Sequence, residues 1–373
     1  MQIPGWSKRK PILTFTFALC LASICADAVD LCSFRSPSTD LTHLLLTANY
    51  AYLDLPDTVH HDVSSGRLSL SFSHLHDEPD FALSISGTTE FSFDRLRFER
   101  AVANAFMTTR FYIEAGRPEF LFAEVSGEDS SAISEPGLEI RFGVGFGRLT
   151  DATPLAKALR IQTMLLETLM LTAPMSESTL LEIAGLIAQE SAFPGIGELV
   201  SRIGDVIEAG AGIGLDARSL FAIANEIGSS GSSLTCGWVN QVGLGYELAP
   251  RFGSIRQPLL TLATDMSQPL TLDSQVEAHG DISFPILARE AYSLVGSLHY
   301  TRRLTHVARI VAEYSLQRVK QPGVDASVAQ SLEFQLLLDF GSATVTASAS
   351  LSRGSGMPGW IEAFSISTRI DLL

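Results

Sequence analysis

Beyond its first thirty residues the chain has no uninterrupted apolar stretch of about eighteen residues, the length a helix needs to cross a bilayer. Membrane crossing by helices is therefore excluded for that part of the chain. Basic residues are scarce as well: 26 Lys and Arg stand against 41 Asp and Glu, a formal charge of -15. A nucleic-acid partner is excluded by the same shortage, because phosphate backbones require a basic footprint. Catalytic signatures are missing too. There is no Gly-x-Ser-x-Gly nucleophile elbow, and the eight histidines form no spaced constellation. His60, His61 and Asp62 are the nearest thing to a metal group, but neighbouring side chains in a strand point apart. The sequence thus predicts no enzyme activity, no metal and no cofactor.

Apolarity is present without being concentrated. Charged residues are only 18%, and mean hydropathy is +0.22. Lys8, Arg9 and Lys10 precede an apolar run from Pro11 to Ile24, and Ala26-Asp27-Ala28 supplies a small-x-small site. This fits a secretory signal over residues 1–28, with the mature chain starting at Val29. Leu19 and Ile24 are too large to precede an acylated cysteine, which argues against a lipid anchor at Cys20 or Cys25. Of four cysteines, Cys32 and Cys236 then remain. An oxidising compartment allows them to pair, but their spacing does not decide whether they do.

The dominant pattern is period two. In 138–148, Leu138, Ile140, Phe142, Val144 and Phe146 share one strand face, while Glu139, Arg141, Gly143, Gly145 and Gly147 share the other. The same alternation marks strands near 46–52, 67–73, 81–93, 107–113 and 120–125 before this stretch. It returns near 238–247, 258–266, 274–284, 290–300, 305–316, 332–340, 343–351 and 364–372. Between the two runs the period changes to that of a helix. Thr153 with Pro154 and the Thr179/Glu182 capping-box spacing are read as helix starts, with further helices near 196–209 and 216–227.

Six strands before the insert and eight after it make fourteen, an even number as single-chain barrels require. The fold expected is an all-β transmembrane barrel of about 14 antiparallel strands, with 12 as the alternative if the weak first strand is absent. Its divisions are a lead-in over 29–44, barrel strands over 45–150, a small helical insert over 151–232 and barrel strands over 233–373. Alternating short turns and long loops place the insert at the end of the barrel that carries the short turns, either beside the mouth or folded inside as a plug. A secreted β-sandwich is the competing fold. It is disfavoured because nearly every strand keeps one apolar row and one row rich in Ser, Thr, Gly and charge.

Gly143-Val144-Gly145-Phe146-Gly147-Arg148, followed by Asp151-Ala152-Thr153-Pro154-Leu155-Ala156, resembles a loose group of uncharacterised outer-membrane β-barrel proteins of diderm bacteria. These carry a glycine-rich strand ending in Gly-Arg and then a helical insert. The resemblance covers 137–225 and implies architecture rather than activity. The chain departs from such barrels in ending Asp371-Leu372-Leu373 rather than in an aromatic residue. The glycine spacing is not a dinucleotide fingerprint, since Gly-x-Gly-x-Gly lacks the third position at the required distance. Inward glycines are expected instead to make room for a plug or a close-packed side chain.

Charges on the polar rows are the candidate lumen-lining residues: Arg110, Glu114, Glu139, Arg141, Glu277 and Asp281 in the first group, Arg309, Glu313, Glu333, Asp339, Arg369 and Asp371 in the second. They are expected either to line a pore or to close it by pairing. The function expected is porin-like passage of small solutes or ions, with the insert as a constriction or plug. The alternative is a non-conducting barrel that anchors a periplasmic helical interaction module. Expected partners are outer-membrane lipid, the barrel-assembly machinery and a small-solute or ion cargo, at the outer membrane of a diderm bacterium.

Overall fold

The computed structural model describes residues 30–36, 39–53, 63–94, 97–131, 137–229, 233–248, 256–288, 290–340, 343–355 and 359–371. The proposed signal segment and His60, His61 and Asp62 lie outside these residues. From Leu31 onward the chain is one compact unit, a closed antiparallel barrel of fourteen strands in which sequence neighbours are spatial neighbours. The first six are β1 (Thr39–Leu53), β2 (Val63–Asp77), β3 (Phe81–Asp94), β4 (Arg97–Tyr112), β5 (Glu119–Ser130) and β6 (Gly137–Asp151). Four helices follow: α1 (Thr153–Glu167), α2 (Glu177–Ala188), α3 (Ile196–Ala211) and α4 (Ala217–Ile227). The remaining strands are β7 (Thr235–Glu247), β8 (Gln257–Thr271), β9 (Ser274–Pro285), β10 (Tyr292–Arg303), β11 (Ala308–Lys320), β12 (Ser327–Phe340), β13 (Ala343–Gly354) and β14 (Ile361–Asp371).

Closure runs through β1 and β14, with Leu45 opposite Asp371 and Ala48 opposite Thr368. The seam is short, four paired positions, and it closes the sheet on itself. β1 is a full strand, paired with β2 from Thr39 to Leu53, so the twelve-strand alternative is ruled out. It also corrects the boundary of the lead-in, which ends before Thr39 rather than at residue 44. Leu44-Leu45-Leu46 has no alternation, so period two could not mark the strand's first half; pairing to β2 and β14 makes it a strand.

One long-range contact fixes which row faces inward. Arg141 on β6 donates to Asp281 on β9 at 2.6 Å, although β7 and β8 lie between them. Strands stand ~4.8 Å apart, so such side chains meet only across the concave side of the wall. Alternation and register then place Glu139, Arg141 and the glycines of β6 inside, and Phe142, 59% exposed, outside. The outer face carries Leu70, Ile140, Val144, Leu244, Phe334 and Phe364, all exposed. Exposing such a side chain to water forfeits roughly 1.5–3 kcal/mol of burial each, and soluble monomers rarely tolerate contiguous patches of this kind. A sandwich would have buried this row. Tyr246, Phe284 and Phe340 lie at or next to strand ends, as an interfacial girdle requires, and Phe146 pairs with Trp238 at 5.3 Å between ring centres. Tyr314, also exposed, is mid-strand on β11.

The helices form their own core from Leu155, Ile161, Leu165, Ile183, Leu199, Ile203, Ile207 and Ile223, each wholly buried. Two helix starts differ from expectation. Ser176, not Thr179, caps α2, its Oγ accepting the Thr179 N–H at 3.2 Å. At α1 the Thr153 N–H goes to Asp151 Oδ1 at 2.9 Å, because the Thr153 hydroxyl is taken by the Leu234 N–H at 2.9 Å. Asp216 caps α4, accepting the Ser219 N–H at 2.8 Å.

Strand direction places the helices, Thr39 and Asp371 at one end of the barrel, together with the turns at 78–80, 272–273 and 304–307. A Cys32–Cys236 disulfide joins the segment before β1 to the start of β7. Around it Ala152, Ala156, Leu234 and Cys236 form an apolar cluster with Leu31 and Leu272 at the root of the insert.

Candidate functional site

The interior wall divides into two arcs. On β4 to β9 many inward side chains are large or charged, and Tyr112, Phe120, Phe122, Glu124, Glu139 and Arg141 are buried. On β5 Phe120 and Phe122 point inward, 1% and 5% exposed, while Leu121 faces out. The Phe120 ring packs on Gly145, and a Cβ at Gly143 or Gly243 would stand only 2.8 Å from the Phe122 ring. The glycines therefore make room for close-packed side chains. Tyr112 meets Phe120 edge-on at 5.5 Å, and the Arg110 guanidinium lies 5.7 Å from the centre of the same ring. Gly147 and Gly237 adopt φ of +106° and +120°, a left-handed backbone that a side chain would strain. Just beyond Gly147, Arg148 stacks 4.4 Å from the Tyr112 ring. It donates to Asp77 at 2.7 Å, to the Pro79 carbonyl at 3.0 Å and to the Glu78 carbonyl. The Gly-Arg ending thus ties β6 to the β2–β3 turn.

Arg141 is the charged centre of this arc. Its side chain, 9% exposed, is within 2.5 Å of Glu139, 2.6 Å of Asp281 and 3.4 Å of Glu124. Gly245 permits the crossing, since a Cβ there would stand 3.3 Å from Arg141 Cγ. Further round, His279 contacts Asp265 at 2.6 Å, and His299 contacts Glu277 at 3.3 Å.

The other arc, β11 to β14 and on through β1 to β3, is lined by hydroxyls. Ser315 pairs with Ser331 at 2.6 Å and Ser348 with Ser365 at 2.8 Å. Ser350, Ser352 and Ser367 on one side and Ser69, Ser71, Ser84 and Ser86 on the other remain half-exposed. Short side chains leave this side of the lumen open to water. Thr39, Ala82, Val311, Leu337 and Thr344 are its buried exceptions, close to the helix-bearing end where Arg309 approaches Asp339 at 3.6 Å.

The predicted lumen residues fall unevenly on this wall. Glu139, Arg141 and Asp281 come together in one node, whereas Glu277, four positions along β9, is held by Gln275 and His299; Arg309 and Asp339 form a pair, with Arg369 nearby. Glu313 and Glu333 are directly opposite each other on β11 and β12. Glu114 is a correction: β4 ends at Tyr112, so Glu114 belongs to an exposed turn, where it pairs with Arg117 at 2.7 Å. Asp371 is placed only by its backbone, opposite Leu45. Sequence reading missed Glu124, Phe120 and Phe122. Both rows of β5 are apolar near its start, which hides its facing; the demand of the β6 glycines for large partners was the available signal.

At the helix-bearing mouth Glu226 of α4 is the hub. Arg303, at the end of β10, holds both its carboxylate oxygens at 3.2 Å, and Arg160 of α1 holds one at 2.6 Å. Burial alone would raise the Glu226 carboxyl, but Arg303 and Arg160 outweigh it and hold it below the usual range. Arg160 also donates to the Leu272 carbonyl in the β8–β9 turn at 2.6 Å. Lys157, whose ammonium burial pushes down, donates to the Ile227 carbonyl at 2.5 Å. Among the described residues no group of three or more His, Cys, Asp or Glu is placed to hold a metal.

No family model and no curated protein matches this chain. Among solved structures, OccAB1 of Acinetobacter baumannii is similar with a TM-score of 0.35 at 8% identity, over 93% of this chain and 100% of that one. Omp33 of the same organism gives 0.34 at 7%, over 90% and 99%. The CymD monoaromatic hydrocarbon channel gives 0.32 at 11%, over 91% and 89%.

Proposed function

We propose that the chain is an outer-membrane β-barrel that passes small hydrophilic solutes or ions along its hydroxyl-lined arc, without catalysis, and that the helical insert narrows the periplasmic mouth. The observation that carries this reading is a closed barrel with an apolar outer face and an inner arc of half-exposed serines. An apolar belt matches a hydrocarbon surroundings, and a hydroxyl wall replaces part of a solute's hydration without demanding charge. The insert acts from the rim: its helices pack on one another, and its polar ties reach the β8–β9 turn and the end of β10. Lipid and the barrel-assembly machinery are the partners this reading requires.

The alternative, a non-conducting barrel that presents the insert, is favoured by one observation. The four helices bury their own core, as a module with a separate task would. Planar-bilayer recording of refolded, inserted protein separates the two. Stable open steps are expected from a passage; silence from protein proven folded and inserted would leave the anchor.

A further inference from the structure

We infer that the passage prefers cations over anions, and that Glu313 and Glu333 set much of that preference; this rests on the conducting reading above. The inference concerns the sign of the field along the path rather than a binding site. The first observation is the distribution of charge on the open arc. Arg67 is taken by Glu90 at 3.1 Å and Arg303 by Glu226. Arg309 approaches Asp339 at 3.6 Å near the helix-bearing end, with Arg369 close to Arg309. At mid-strand the charge is acidic. Glu313 and Glu333 face each other across β11 and β12, and neither forms an ion pair with a Lys or Arg among the described residues. His299, opposite Glu313 on β10, is held by Glu277 on the far side. Like charges directly opposite in an antiparallel pair cost stability, and the positions beside them, Ser331, Ser350 and Ser315, are neutral.

The second observation is independent of the wall. On the insert, exposed Asp and Glu outnumber exposed Arg and Lys eight to two, the two being Arg202 and Arg218. Lys157 and Arg160, the remaining basic residues of the helices, are turned inward, Lys157 to the end of α4 and Arg160 to Glu226 and the rim. A solute that uses this mouth meets negative charge before it meets the lumen. The third is on the packed arc, where three carboxylates share Arg141. Arg110, stacked on Phe120, offsets only part of that excess. Walls of one sign raise the local concentration of the opposite ion.

The test is the reversal potential of the inserted protein in a potassium chloride gradient. The expected sign is that of a cation-preferring pore. The preference should weaken from 0.01 to 1 M salt, as the Debye length falls from ~30 to ~3 Å. The Glu313→Gln/Glu333→Gln double variant should lower the potassium-to-chloride permeability ratio roughly threefold, a change of order RT as expected for charges in a watery lumen. Leu336→Val, on the outer face of β12, should leave the ratio unchanged. An anion-preferring wild type overturns the inference, and so does an unchanged ratio in a double variant that inserts normally. The wild-type sign and salt dependence stand as tests even if that variant fails to insert. A silent wild type overturns the conducting reading and this inference together, whereas open steps of the wrong sign overturn this inference alone.

Discussion

The two arcs of the barrel wall have the same strand geometry and the same alternation, yet they are built on opposite principles. On β4 to β7, glycines are paired with phenylalanines so that rings lie flat on backbone, and a single arginine is enclosed by three carboxylates. On β12 to β14, serine stands opposite serine, and the interior surface stays wet. Packing on the first arc is close to that of a soluble core, where an added methylene is felt. The second arc has no such partner for its side chains. A barrel this wide does not need to fill its lumen; filling one side stiffens the wall and leaves the other arc to carry the proposed passage.

The sharpest way to break that contrast is to place the same bulk on each arc. Gly145→Leu drives a side chain into the Phe120 ring and within 2.8 Å of the Asn240 carbonyl. Overpacking of this kind costs ~1–3 kcal/mol where neighbours yield and more where backbone is struck. Loss of folded barrel is expected, read as loss of heat-modifiable migration on a semi-native gel. Ser348→Leu, on the open arc, should fold and instead reduce conductance. Equal folding of the two variants would end the distinction between filled and open walls.

Charge gives the next largest contrast. Arg141→Met leaves Glu124, Glu139 and Asp281 buried around an uncharged side chain, and breaking a buried ion pair from one side costs ~3–5 kcal/mol. Arg67→Met removes a pair whose side chains are 64% and 33% exposed, a class worth ~0–1 kcal/mol. Urea midpoints in lipid or detergent should separate the two variants clearly. Similar midpoints would mean that the Arg141 node is more open to water than its burial implies.

Why one arc was legible from sequence and the other only in part follows from these chemistries. Leu332 to Phe340, Ala343 to Leu351 and Phe364 to Leu372 alternate apolar with polar, so strand, facing and lumenal row are all read from period two. Strand count and the end at which the insert lies also followed, because turn lengths record direction. β5 fails the same test: Phe120-Leu121-Phe122 is apolar on both rows, since its inner row packs against a wall instead of water. The partners of Arg141 come from three strands, and nothing local links residue 141 to residue 281. Glu114 was misplaced for a simpler reason, that alternation does not say where a strand stops. The Cys32–Cys236 pair was left open by sequence because only barrel closure brings residues 204 apart to the same rim.

The smallest expected effect lies where the insert meets the wall, and its sign is fixed by Glu226. Arg303 and Arg160 hold that carboxyl below its ordinary value despite burial, so the docked insert binds fewer protons at this group than the undocked one. Such a group contributes stability above its free value, ~4.3 for a glutamate, and loses it as pH falls through the lowered, docked value. Asp216, capping the same helix, is lowered by its Ser219 hydrogen bonds and acts in the same direction. Docking of α4 should therefore be flat from pH 7 to about 5 and weaken below ~4. Limited proteolysis with an acid-active protease checks this: cleavage within 152–229 should rise below that pH while the β11–β14 strands stay protected. Glu226→Gln should raise cleavage at pH 7 and flatten most of the acid dependence, leaving the part that belongs to Asp216. If the variant keeps the full wild-type pH profile, the insert is held by the apolar cluster around Cys236 instead, and the Glu226 hub only orients α4.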